Sequence, residues 1–130
     1  MIPCGVLNTA CFSEIIIASP GQINDNRGDI LNNEGSPAFM SILTPNSSSP
    51  DQLRQCKPTA QDPLNNEYRR IPCITVASNT EYQIAARSKH PGGVAVSMCD
   101  GSVRFVTDSV AHDVWAAALS GKGGETLQLP

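Results

Sequence analysis

Val94-Ala95-Val96-Ser97-Met98-Cys99-Asp100-Gly101-Ser102-Val103-Arg104-Phe105-Val106 is the stretch on which the fold turns. Val94, Val96 and Met98 alternate with Ala95, Ser97 and Cys99, the period-2 pattern of a half-buried strand. Ser102 to Val106 alternates again, with Asp100-Gly101 between the two runs. Asp-Gly in that setting is a strong hairpin signal and predicts a type I′ turn, with positive φ at both central residues. Downstream, Ser109 stands at an N-cap position. Val110, Val114 and Ala118, with Trp115 and Leu119, recur at helical spacing, and Gly121 supplies a stop. A helix over 109–120, laid on the hairpin with Trp115 against the sheet, is the expected packing. Upstream, Pro91-Gly92-Gly93 makes a tight entry and leaves His90 on a loop beside the strand start.

Toward the N-terminus, Phe12 to Ala18 is a β-branched run closed by Ser19-Pro20-Gly21, which reads as a buried strand ended by a turn. Residues 22–35 are rich in Asn, Asp and Gly, types that bond their own backbone and take up turns. Ala38 to Leu43 reads as a short strand. Residues 44–70 read as a long loop rich in Pro, Asn and Gln, punctuated by Pro45, Pro50, Pro58 and Pro63; so long an irregular segment implies a use or a crosslink. Ile71 to Ala77 reads as an edge strand, with Pro72 near its start where a missing donor is tolerated. The expected fold is α+β: a small antiparallel sheet around the hairpin, one C-terminal helix and long loops, in one domain over 1–130.

The chain has 130 residues, of which 40% are hydrophobic, 5% aromatic and 16% charged, with ten Gly and ten Pro. Soluble domains carry roughly 25% charged residues, so the surface must rest on Ser, Thr, Asn, Gln and Gly. A formal net charge of −3 gives no basic footprint for nucleic acid and no polybasic run for an anionic membrane. The longest apolar stretch, Ile15-Ile16-Ile17-Ala18, is far short of the roughly 20 residues of a spanning helix. Met1-Ile2-Pro3-Cys4 lacks the features of a secretory signal. Five cysteines, at 4, 11, 56, 73 and 99, include no Cys-x-x-Cys pair, so the commonest zinc spacing is missing. The odd count leaves at least one thiol free or paired between chains. In an oxidising compartment, a Cys56–Cys73 disulfide would staple the intervening loop.

Ala86-Arg87-Ser88-Lys89-His90-Pro91-Gly92-Gly93-Val94, Cys99-Asp100-Gly101-Ser102-Val103-Arg104-Phe105-Val106, Trp115 and Gly123-Gly124-Glu125 together resemble a bacterial prepilin-like family. Its C-terminal domain carries a His, nine intervening residues and Asp-Gly, the spacing of His90 and Asp100-Gly101. Asn8-Thr9, Ser13-Glu14, Arg27-Gly28-Asp29, Thr44-Pro45-Asn46 and Pro50-Asp51 extend the likeness over essentially the whole chain. The resemblance implies an exported or envelope-associated protein related to type II secretion pseudopilins, whose full-length members begin with a prepilin leader and a long apolar helix. It also implies that this chain is the C-terminal part of such a head, without leader or helix, so that expressed as written it would be cytoplasmic. The implied partners are other protein subunits or an envelope complex, with no nucleic acid and no membrane insertion by this chain. Calcium often steadies a C-terminal loop in pseudopilins.

For chemistry, His90, Asp100 and Ser102 form the candidate catalytic set. His90 would act as base toward a nearby Ser88, Ser97, Ser102 or Cys99, with a carboxylate orienting its ring. No Gly-x-Ser-x-Gly elbow singles out a nucleophile. Six residues of strand place His90 roughly 20 Å from the turn, which argues against direct contact with Asp100. The plainer reading makes Asp100 a turn residue and His90 a loop cap. Asp25, Asp29 and Glu34 form the candidate metal set, an oxygen-rich loop suited to Ca²⁺ but without EF-hand spacing; a solvated loop is the plainer reading. Cys99 reads as a small buried hydrophobe, His112 as an exposed helix residue and Trp115 as a packing anchor. The leading function is a non-catalytic head acting through surface contacts, possible calcium included. The alternative is a small metal-assisted hydrolase of esters or lactones, and a third reading is a carbohydrate- or peptide-binding module using the 44–70 loop.

Overall fold

A computed structural model describes residues 8–18, 25–29, 31, 38–78, 81–121 and 129. Cys4, Glu34, Ser19-Pro20-Gly21 and Gly123-Gly124-Glu125, singled out above, lie outside the described residues. The elements run β1 (Ala10–Ser13), β2 (Asp51–Leu53), α1 (Pro58–Gln61), α2 (Asn66–Arg70), β3 (Cys73–Thr75), β4 (Gly93–Met98), β5 (Val103–Thr107) and α3 (His112–Leu119). The fold is α+β: an antiparallel sheet ordered β1-β4-β5 and a parallel pair, β2-β3.

The hairpin forms with Gly93 opposite Thr107 and Ser97 opposite Val103. Its turn differs from the type I′ expectation. The Gly101 N–H donates to the Met98 carbonyl (3.0 Å), the Met98 N–H donates to the Ser102 carbonyl (2.8 Å), and Gly101 is the sole loop residue with positive φ, at +86°. This is a type I turn through Cys99 and Asp100 followed by a left-handed glycine, the three-residue solution for the same strand twist. Asp100 favours it by accepting both the N–H and the hydroxyl of Ser102 on Oδ1 (2.9 and 2.7 Å).

Val94, Val96, Met98 and Val106 bury the inner face of the sheet against Trp115 and Ala118 of α3. Trp115 is the expected anchor: its ring lies 5.9 Å from Phe39 and its Nε1–H donates to the Leu43 carbonyl (2.9 Å). The outer face leaves Phe12, Val103 and Phe105 exposed around Ala95 and Ser97. A second cluster, Leu53, Cys56, Ala60, Ile71, Cys73 and Tyr82, lies around the parallel pair, where Cys56 and Cys73 are joined in a disulfide with Cα atoms 5.9 Å apart.

Several boundaries move. The 12–18 strand is β1 at 10–13, because Glu14 ends the ladder: its Oε2 takes the Ala95 N–H (2.7 Å) that a further strand residue would have paired. Residues 38–43 are not a strand. Their backbone is spent singly, the Met40 N–H on the Ile84 carbonyl and the Leu43 carbonyl on Trp115. The 44–70 segment is not simply a loop. It carries β2, α1 and α2, since parallel strands need a crossover of a dozen or more residues. The 71–77 strand shortens to β3. The helix begins at His112, not Ser109; Ala111 stands at its N-cap without a side-chain bond, and the Ser109 hydroxyl pairs with Thr107. Among the described residues, no helix is long and apolar enough to cross a membrane.

Candidate functional site

Four buried charges knit the two clusters together. Arg27 is 2% exposed and Asp51 fully buried. Arg27 Nη1 donates to Asp51 Oδ2 (3.0 Å) and to the Ile71 carbonyl (2.8 Å), and its Nε donates to Asp25 Oδ1 (2.9 Å). From the other side Arg87 Nη2 donates to Asp51 Oδ1 (2.9 Å), while its Nη1 and Nη2 reach the Ser47 and Ser49 carbonyls (2.7 and 3.1 Å). The Ala85 N–H adds a further bond to Asp51 Oδ1 (3.0 Å). The set is charge-neutral and every head is hydrogen-bonded, the condition for tolerating buried ions. Burial works against the Arg27 charge, but Asp25 and Asp51 outweigh it and hold its pKa above the ordinary value. These charges are structural. Asp25 and Arg27 share one polar segment while Asp51 and Arg87 come from two others, and no local pattern distinguished them from solvated residues.

The lattice fixes the segment that leads from Arg87 to His90. Asn46, in a left-handed conformation at φ +50°, accepts the Ser88 N–H on Oδ1 (2.9 Å) and donates from Nδ2 to Asp108 (2.7 Å). Ser88 donates its hydroxyl proton to the Gly93 carbonyl (2.6 Å) and accepts the His90 N–H (3.1 Å). His90 Nε2 lies 3.0 Å from Glu14 Oε1, and Glu14 is held in turn by Ala95. This is an exposed imidazole beside a carboxylate. Among the described residues no hydroxyl or thiol is bonded to the ring, and the nearest Ser has given its proton away.

The expected catalytic set therefore does not assemble. His90 sits at the Gly93 end of the hairpin and Asp100 with Ser102 at the turn. The carboxylate beside His90 is Glu14, which sequence reasoning missed; only its place at the foot of the 12–18 run hinted at it. Of the metal set, Glu34 lies outside the described residues, and the two that are described are already engaged. Asp25 spends its oxygens on Arg27 and the Lys57 N–H, and Asp29 Oδ1 takes the Leu31 N–H (3.0 Å). Asp25, Cys56 and Cys73 bring ligand atoms within 4.8 Å of one another, but sulfurs joined in a disulfide offer no thiolate to a metal. Cys99, expected to be buried, is exposed.

Beside His90 opens a cleft of about 260 Å³ lined by Ile16, Asn46, Arg69, Arg70, Ser88, Lys89, His90 and Asp108. A neighbouring hollow of about 330 Å³ shares Ile16, Ser88, Lys89 and His90 with it. Arg69 and Arg70 come from the last turn of α2, where the helix dipole favours cations. Three permanent cations thus face one carboxylate, Asp108, already held by Asn46, in a chain whose net charge is −3. Among the residues whose side chains are described, which leaves out Glu67, no carboxylate pairs with these three cations.

Comparison with known proteins adds one assignment. No curated protein and no solved structure matches the chain. A family model described as a protein of unknown function, DUF1559, matches residues 4–113, and by that span the chain belongs to the DUF1559 family.

Proposed function

We propose that the protein is the recognition head of an exported, prepilin- or pseudopilin-like protein, which holds an acidic protein partner in the cleft beside His90. The single observation that carries this is the set Arg69, Arg70 and Lys89 gathered in one cleft of an otherwise acidic chain. Carboxylates of the partner would meet guanidinium groups in the bidentate geometry that suits them. The Cys56–Cys73 disulfide supports export, because such bonds persist in oxidising compartments. The buried ion lattice supports a rigid frame for the surface. The His90-to-Asp100-Gly101 spacing is what carries the prepilin-like part of the proposal. Calcium has no part in it, since Asp25 is already committed to Arg27.

The test is fluorescence anisotropy of a labelled oligo-glutamate peptide against the full chain. Saturable binding is expected, weakening with added salt as exposed charges are screened. Arg70→Glu or Lys89→Glu should weaken it by about tenfold or more, or about 1.4 kcal/mol. Binding that ignores both substitutions would overturn the proposal.

The His90–Glu14 pair favours a second reading, the ester or lactone hydrolase, because half of a catalytic constellation is in place. The missing half is a nucleophile. Turnover of an ester or lactone by the purified chain, abolished in a folded His90→Ala variant, would establish it and remove the non-catalytic reading.

A further inference from the structure

We infer that Cys11 and Cys99 close as a second disulfide, tying β1 to the turn of the β4–β5 hairpin. The inference does not depend on the recognition proposal. It begins with a fault in the ladder. Ala10 is paired with Met98 and Phe12 with Ser97, so Cys11 is an extra residue with no opposite number on β4. Such a bulge re-aims side chains. Here it breaks the alternation of β1, leaving both Cys11 and Phe12 exposed between the half-buried Ala10 and Ser13. Without the bulge one of those two neighbours would face the core.

Cys99 arrives on the same side. Met98 points into the core, so Cys99 points outward, and its N–H donates to the Thr9 carbonyl (2.8 Å), which pins the turn to the residues just before Cys11. The Cys11 thiol is a neighbour of the Cys99 thiol, and partial desolvation, that neighbour and the negative potential of Asp100 together raise the Cys99 pKa. Both sulfurs are solvent-accessible and unbridged, in a chain that already holds one disulfide. Bond formation would replace two neighbouring exposed thiols by a neutral link.

The oxidant is a low-molecular-weight disulfide such as oxidised glutathione. One cysteine thiolate attacks it, expelling one glutathione thiolate and forming a mixed disulfide. The other cysteine thiolate then attacks the protein sulfur of that mixed bond and expels the second. Two thiol protons and two electrons leave the protein, and two molecules of reduced glutathione are produced.

The experiment incubates the folded full chain in an oxidising glutathione buffer, blocks remaining thiols by alkylation, and maps tryptic peptides without reduction. With Cys56–Cys73 bridged, Cys4, Cys11 and Cys99 begin as three thiols. The expected product joins the peptide of residues 1–27 to that of 90–104. Fragmentation between Cys4 and Cys11 should place the link on Cys11, with one alkylated thiol left, at Cys4. A Cys4→Ser variant should form the same link, and Cys11→Ser should leave Cys99 alkylated. Alkylation of both Cys11 and Cys99 in the folded, oxidised chain would overturn the inference, as would a link from either one to Cys4.

Discussion

Asp51 lies out of reach of water, so each of its oxygens depends on a protein donor. Oδ1 takes the Ala85 N–H and Arg87, and Oδ2 takes Arg27 and Arg87. Asp51→Ala leaves Arg87 buried without a carboxylate and Arg27 with Asp25 alone, and breaking a buried pair in this way costs about 3–5 kcal/mol. Urea unfolding should show a loss of that size; a loss below about 1 kcal/mol would mean that water reaches the arginines. Asp100 is the opposite case, an exposed carboxylate held below its usual pKa by the Ser102 hydroxyl and then the Ser102 N–H. A carboxylate whose pKa is depressed on folding stabilises the fold above the unfolded value of about 3.9, and that contribution disappears as pH falls through the folded value. NMR titration should place Asp100 below other exposed aspartates, and Ser102→Ala should return it toward them with little change in melting temperature at neutral pH. Asp100 was legible as a turn residue from the Asp-Gly between two alternating runs, whereas the burial of Asp51 was not, for a physical reason. A charged residue in a polar segment has the same local pattern whether water or an arginine meets it.

At the scale of elements, the glycines of the hairpin separate two kinds of requirement. A Cβ on Gly93 would collide with the Val106 carbonyl and come within 2.7 Å of the Phe105 ring. Gly101 has open space around its missing Cβ but sits at φ +86°. Gly93→Ala should therefore cost about 1–3 kcal/mol through overpacking against backbone that cannot yield. Gly101→Ala should cost about 1 kcal/mol through the left-handed conformation alone, most of it recovered by Gly101→Asn. Thermal melts of the three variants would rank them, and equal losses at 93 and 101 would contradict the close approach. The hairpin itself was legible because its alternation and its Asp-Gly are local. The end of β1 was not, because it is set by a side chain: Glu14 takes the Ala95 N–H in place of another strand residue. Ala38 to Leu43 misled for a related reason. Phe39 packs against Trp115 and Met40 against the second cluster, without any ladder.

Across the whole molecule, the cleft is assembled from Arg69 and Arg70 on one side and Lys89 and His90 on the other. A net charge of −3 concealed it, because composition averages over the surface while a cleft collects a few residues from distant segments. The side that bears the arginines depends on the crossover from β2 to β3, which leaves and returns through Cys56 and Cys73, a sequence separation of 17. Closing a loop of that size stabilises by about 3 kcal/mol, chiefly by restricting the unfolded chain. Mild reduction of this bond should lower the melting temperature accordingly. It should also loosen α2, so that oligo-glutamate binding weakens at temperatures where the β4–β5 hairpin is still protected from amide exchange. A chelator should change neither quantity, since the Asp25 oxygens are taken by Arg27 and the Lys57 N–H. Equal loss of protection in α2 and in the hairpin on reduction would mean that the two core clusters melt as one unit, with the Arg27–Asp51–Arg87 lattice coupling them more tightly than the disulfide holds either.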